Sequence, residues 1–141
     1  MAADRKLDSA LGHLFARALV AIARADDEIG PEEGLRLQQR LALRVAAPIS
    51  LDELLLAEPL EPHRLLEALG SVAGPFRNAW LLPGELAAMI VSDGVAVVLA
   101  KGYVSEAEAR VIVRFASALG WSLDQIRALC NRVAPWLGAM V

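Results

Sequence analysis

Apolar Leu7, Leu11, Leu14, Ala18, Ile22 and Ala25 recur at steps of three and four, which lays them along one stripe of a helix from about Asp4 to Ala25. Gly30-Pro31 opens a second helix, because proline at the first helical position gives up no hydrogen bond. Glu32 and Glu33 suit the positive end of its dipole, and Leu37, Leu41 and Val45 form its inner face. Pro48 interrupts the period. Ser50-Leu51-Asp52-Glu53 then reads as a capping box, a hydroxyl and a carboxylate satisfying backbone N–H groups reciprocally, and heads a short third helix. The chain turns at Glu58-Pro59-Leu60-Glu61-Pro62, and Pro62 starts a helix through about Ala73 that ends at Gly74-Pro75. From Phe76 to Leu82 the pattern fits no more than a helical turn carrying Trp80.

After Pro83-Gly84 the positions Leu86, Ile90, Asp93, Val97 and Ala100 make the stripe of a buried helix, stopped at Gly102. Ser105 to Glu108 is a second capping box, heading Ile112, Phe115 and Leu119 as far as Gly120. Ser122 to Gln125 is a third, heading Leu123, Ile126, Cys130, Val133 and Leu137. Runs of β-branched residues are confined to Val95–Val98 and Val111–Val113, too little for an extensive sheet. The expectation is an all-α compact bundle of about seven helices, residues 1–141 forming a single domain of ordinary size.

A shift of 75 residues superposes the first two helices on the region from Leu86 to Leu119: Ala21 falls on Ala96, Ile22 on Val97, Ala25 on Ala100, Ile29 on Val104, Glu33 on Glu108 and Leu37 on Ile112. Each half is then a long helix, a tight loop and a capped helix, a pseudo-duplicated helical hairpin. Within the first copy, Ala23-Arg24-Ala25-Asp26-Asp27-Glu28-Ile29-Gly30-Pro31-Glu32-Glu33 resembles the first signature of the tellurite-resistance TerB-like domains. That signature is a helix ending in Ala-x-Ala-Asp-Gly, then a hydrophobic residue and a Glu that opens the next helix. The second copy, from Ala100 to Glu108, is similar to the repeat in the C-terminal half of those domains, and the resemblance runs from about Leu7 to Leu129.

The resemblance implies a TerB-like all-α fold, a stress-response or envelope-associated setting, and divalent-cation binding, Ca²⁺ or Mg²⁺, at Asp26, Asp27 and Glu33. The fold type also heads a membrane-anchored J-domain cochaperone, but no His-Pro-Asp occurs here, so that activity is not implied. Each copy keeps half of the Asp-Gly pattern: copy one has Asp26-Asp27, copy two Lys101-Gly102, and Lys101 disables a cation site in the second copy.

Chemistry at the first loop supports two readings. Asp26, Asp27, Glu28, Glu32 and Glu33 place five carboxylates within eight residues, and the two Asp stand at the negative end of the first helix, which disfavours each by about 0.3–1 kcal/mol. A hard cation bridging the Asp pair to Glu33 would remove that conflict. Alternatively Glu33 and Glu108, at the third helical position, cap backbone N–H groups without any metal and the loop is simply solvated. The loop is not an EF-hand, since the alternating ligands and the distal Glu are missing.

Elsewhere, Asp93 lies on a core-facing stripe and must find partners or be protonated; Arg17 and Arg77 are the expected partners, with Gly94 permitting close helix packing. Arg36, Arg40 and Arg44 read as an ion-paired, solvated row on the second helix rather than a phosphate or acidic-partner contact. His13 and His63 stand outside metal-ligand spacing, and Cys130 falls on an apolar stripe, an inert buried thiol.

A formal charge of -3, from 17 acidic and 14 basic residues, gives no footprint for nucleic acid. Of those basic residues only Lys6 and Lys101 are lysines. The most apolar run, Leu86 to Ala100, is interrupted by Asp93 and falls short of the roughly 20 residues needed to span a bilayer, leaving peripheral membrane association as the only membrane role. The lone cysteine and the mixed-charge N-terminus fit a cytoplasmic location. No catalytic motif is present, so the expected function is a non-enzymatic TerB-like module. The alternatives are a protein-interaction or self-association domain covered by a partner, with Trp121, Trp136 and the Gly138–Val141 tail adding apolar surface, and a small-ligand or lipid carrier built on the Asp93 region.

Overall fold

Helix α1 (Ser9–Ala23) is the central element: Leu11, Phe15, Ala18, Leu19, Ile22 and Ala23 are all enclosed, on more than one face of the helix. Burying each of the large side chains contributes about 2 kcal/mol, and a helix enclosed on several sides must be surrounded by other helices. The computed structural model describes residues 7, 9–26, 29–46, 49–58, 60–65, 67 and 83–133. Helix α2 (Pro31–Arg44) packs on α1, the short α3 (Leu51–Leu56) leans on α1, and α4 (Pro83–Val98) lies against both α1 and α2. A 3₁₀ turn, Leu99–Lys101, extends α4, and α5 (Glu106–Ala118) and α6 (Leu123–Val133) complete the set. Residues 62–65 and 67 are also helical.

The protein is thus an all-α bundle around one core. Among the described residues the only β pairing is an isolated parallel bridge between Leu7 and Val45, in which Leu7 N–H donates to Arg44 O at 2.8 Å and Ala46 N–H to Leu7 O at 2.9 Å. The second half of the helix expected from Pro62, the Trp80 turn, Arg77, Asp27, Trp136 and the Gly138–Val141 tail lie outside the described residues.

The duplication is visible in the helix boundaries. Displaced by 75 residues, Ala23 falls on Val98 and Pro31 on Glu106, while Ser9 and Arg44 come within one residue of Pro83 and Ala118. The two long helices, α1 and α4, cross where Gly94 replaces a side chain: a Cβ there would lie 2.7 Å from Ile22 Cδ1. Ile29 and Val104, the aliphatic residues of the two loops, both pack against the core.

Local chemistry terminates the elements as their sequences require. Gly102, at φ 104°, closes the 3₁₀ turn with its N–H on Leu99 O at 2.8 Å. In α5 the Ser105 N–H donates to Glu108 Oε1 at 2.9 Å while Glu108 N–H donates to Ser105 Oγ at 3.2 Å. The same pair of bonds joins Ser122 and Gln125 at the head of α6, and in α3 the Ser50 hydroxyl accepts from Glu53 N–H at 3.3 Å. Glycine 30 has no side chain to cap α2, and Glu33 alone reaches back, its Oε1 accepting from Gly30 N–H at 3.3 Å.

Candidate functional site

Glu33 and Glu108 occupy matching third positions of α2 and α5, and a carboxylate that turns back to cap its own helix points toward the loop before it. Because α1 and α4 bring the two loops together, both carboxylates point into one space, where Glu33 is 3% and Glu108 0% exposed. Asp26, at the end of the first loop's leading helix, adds a third.

The cation in that space is Lys101. Its ammonium is hydrogen-bonded to both oxygens of Glu108 and stands 3.6 Å from Asp26 Oδ2 and 3.6 Å from Glu33 Oε2. The Tyr103 ring lies 5.0 Å from the same nitrogen, close enough for a cation–π contact. A lysine suits this place better than arginine: a compact ammonium with three donors can face three carboxylates, whereas a planar guanidinium fork matches one or two.

Electrostatics at the cluster are unbalanced. Three carboxylates face one ammonium, and Asp26 Oδ1 and Glu33 Oε2 are enclosed without a hydrogen-bond donor. Burial pushes the Glu33 carboxyl above the usual range and the neighbouring Glu108 adds to that push, while the Gly30 N–H and the Lys101 charge oppose it. For Lys101, burial alone would lower the pKa, but the hydrogen bond and charge of Glu108, followed by Glu33 and Asp26, outweigh it and hold the ammonium above the ordinary lysine value.

Lys101 was expected to spoil a site within its own copy. It does sit on Glu108 of that copy, and it reaches as well to Asp26 and Glu33 of the first, residue 26 being the position equivalent to 101 under the 75-residue shift. Opposite charges at equivalent positions were the available signal. Of the residues proposed to hold Ca²⁺ or Mg²⁺, Asp26 and Glu33 are brought to this point and Asp27 lies outside the described residues. A divalent ion would have to share the space with the ammonium, and among the described residues no three ligating side chains are set to hold one.

Asp93 is fully enclosed on α4, and among the described residues its partners are Arg40 and Arg44 rather than Arg17, Arg77 lying outside those residues. Arg40 donates Nε and Nη2 to Asp93 Oδ1 at 3.0 and 2.6 Å, and Arg44 donates Nε to Oδ2 at 2.9 Å. Arg17 turns elsewhere, to the Glu58 carbonyl at 3.2 Å. Two members of the arginine row on α2 are therefore half-buried and turned toward α4, because α2 packs with that edge against the carboxylate, and only Arg36 is exposed. A groove of about 510 Å³ runs along the opposite face of α4, lined by Val91, Val95, Trp121, Leu129 and Arg132. It does not reach Asp93, so the carboxylate and this groove do not form a common pocket.

His13 and His63 are exposed and separate, and Cys130 is buried, its thiol pushed up by that burial. No described helix is long and apolar enough to cross a membrane. No family model matches the chain, and neither a curated protein nor a solved structure is found to be similar to it.

Proposed function

We propose that the chain is a non-enzymatic helical module of the TerB-like type, whose two hairpins close on one shared cation position, and that Lys101 fills this position in place of Ca²⁺ or Mg²⁺. The observation that carries the reading is the convergence of Asp26, Glu33 and Glu108, drawn from both copies, on a single ammonium. A tethered cation gives a joint that needs no metal and does not respond to metal supply. The buried carboxylates of the described residues, Glu33, Asp93 and Glu108, each face a basic side chain, which supports structural rather than catalytic use. The family type, and with it a stress-response or envelope-associated assembly, rests on the loop signature and the repeated hairpin.

Titration with CaCl₂ and MgCl₂, followed by calorimetry and thermal melting, tests the reading. Wild type should give no saturable heat and no rise in melting temperature. Lys101→Met, which removes the ammonium but keeps the stem, should gain a melting-temperature increase with either salt. Saturable binding to the wild-type chain, lost in the Asp26→Ala, Glu33→Ala pair, would overturn it and restore the metal.

A further inference from the structure

Helix α2 turns Leu37 and Leu41 inward and leaves Leu35 and Leu43 on the outside, 59% and 60% exposed. They stand eight residues apart, about 12 Å along the helix axis, with exposed Gln39 between them. Beside this apolar row runs Arg36, Arg40 and Arg44. Arg40 and Arg44 share the single carboxylate of Asp93, and Arg36 has no ion pair among the described residues, so the edge carries surplus positive charge, bounded at one end by Glu32.

The opposite chemistry occurs at α3. Leu56 is 89% exposed, the most exposed large apolar side chain of the described residues, and Asp52, Glu53 and Glu58 around it are exposed acids without an ion pair there. With both leucine patches this exposed, neither covers the other within one molecule.

We propose that α2 of one copy is the docking surface for α3 of a second copy, Leu56 seating along the Leu35–Leu43 row while Asp52, Glu53 and Glu58 face the arginine edge. A single leucine on an apolar row makes a small contact, and the two charged edges supply register and orientation. The contact joins two different surfaces, so reciprocated it closes a two-fold dimer and otherwise it propagates from copy to copy.

Sedimentation equilibrium of the full chain, from about 10 µM to about 1 mM in low salt, brackets a weak contact of this kind. The average mass should rise from 15.1 kDa with concentration and fall back on adding salt. Leu56→Ser and Arg36→Glu should each hold the chain at the monomer mass, as should Asp52→Lys with Glu53→Lys. Circular dichroism would check that these surface variants keep their fold. Mixing the Arg36→Glu chain with the Asp52→Lys, Glu53→Lys chain should recover association, since each supplies the edge the other lacks. A wild-type monomer throughout the range overturns the proposal, and so does association that survives Leu56→Ser and Arg36→Glu, which would place the contact on another face such as the α4–α6 groove. Failure of the mixed variants to associate overturns the charge pairing and with it the proposed orientation.

Discussion

Replacing Lys101 by Met removes one positive charge while leaving a stem of similar length to pack beside Tyr103. Among the described residues the ammonium is the basic group paired with Glu108, Glu33 and Asp26, and the lysine is only 15% exposed. Breaking a buried pair by removing one partner costs about 3–5 kcal/mol. The two contacts at 3.6 Å are long and Asp26 is partly exposed, so the lower end applies, about 3 kcal/mol. For a chain of this size that is a fall in melting temperature of about 10 °C.

The loss should also depend on pH in a definite direction. Glu33 already has a raised pKa in the folded protein, and the variant removes the charge that restrains it. A carboxyl whose folded pKa exceeds its unfolded one contributes stability below the unfolded pKa and loses it as pH rises through the folded pKa. The gap between variant and wild type should therefore be small near pH 4.5 and wide by pH 8. Thermal melts followed by circular dichroism at several pH values between these limits measure it. A Lys101→Met melting temperature within 2 °C of wild type at pH 7.5 would refute the view that this ammonium joins the hairpins. A gap of equal size at every pH would refute the electrostatic account and leave lost packing as the cause.

Asp93→Asn should destabilise by about 2–3 kcal/mol in urea unfolding, because two guanidiniums lose their shared charge but remain one-quarter to one-third exposed and can partly rehydrate. Its effect should add to that of Lys101→Met, since the two variants disturb separate clusters. Gly94→Ala should cost about 1–3 kcal/mol through its clash with Ile22, and Ile22→Val in the same chain, removing the offending Cδ1, should cost less in combination than the two changes summed. Cys130, enclosed and with its thiol pushed up, should react with a chromogenic disulfide reagent at the unfolding-limited rate at pH 8, and immediate stoichiometric labelling of the folded chain would contradict its burial.

Helix placement was readable from residues three and four apart. The Ser105 and Ser122 capping boxes, the stop at Gly102 and the inner faces of α2 and α5 needed nothing more distant than the next turn. The repeat was readable too, since shared spacing between Ile29 and Glu33 and between Val104 and Glu108 reports a common local shape. What stayed hidden were the partners of charged groups. Asp93 could be recognised as a buried carboxylate from its stripe, yet whether it met Arg17, Arg40 or Arg44 depended on the rotation of α2 against α4. Lys101 looked like a defect within one copy until the approach of the two loops made it the counter-ion of both. Capping and periodicity are decided within one turn of helix, whereas an ion pair 49 to 75 residues apart in sequence is decided by how packed helices rotate and close, which no local pattern encodes.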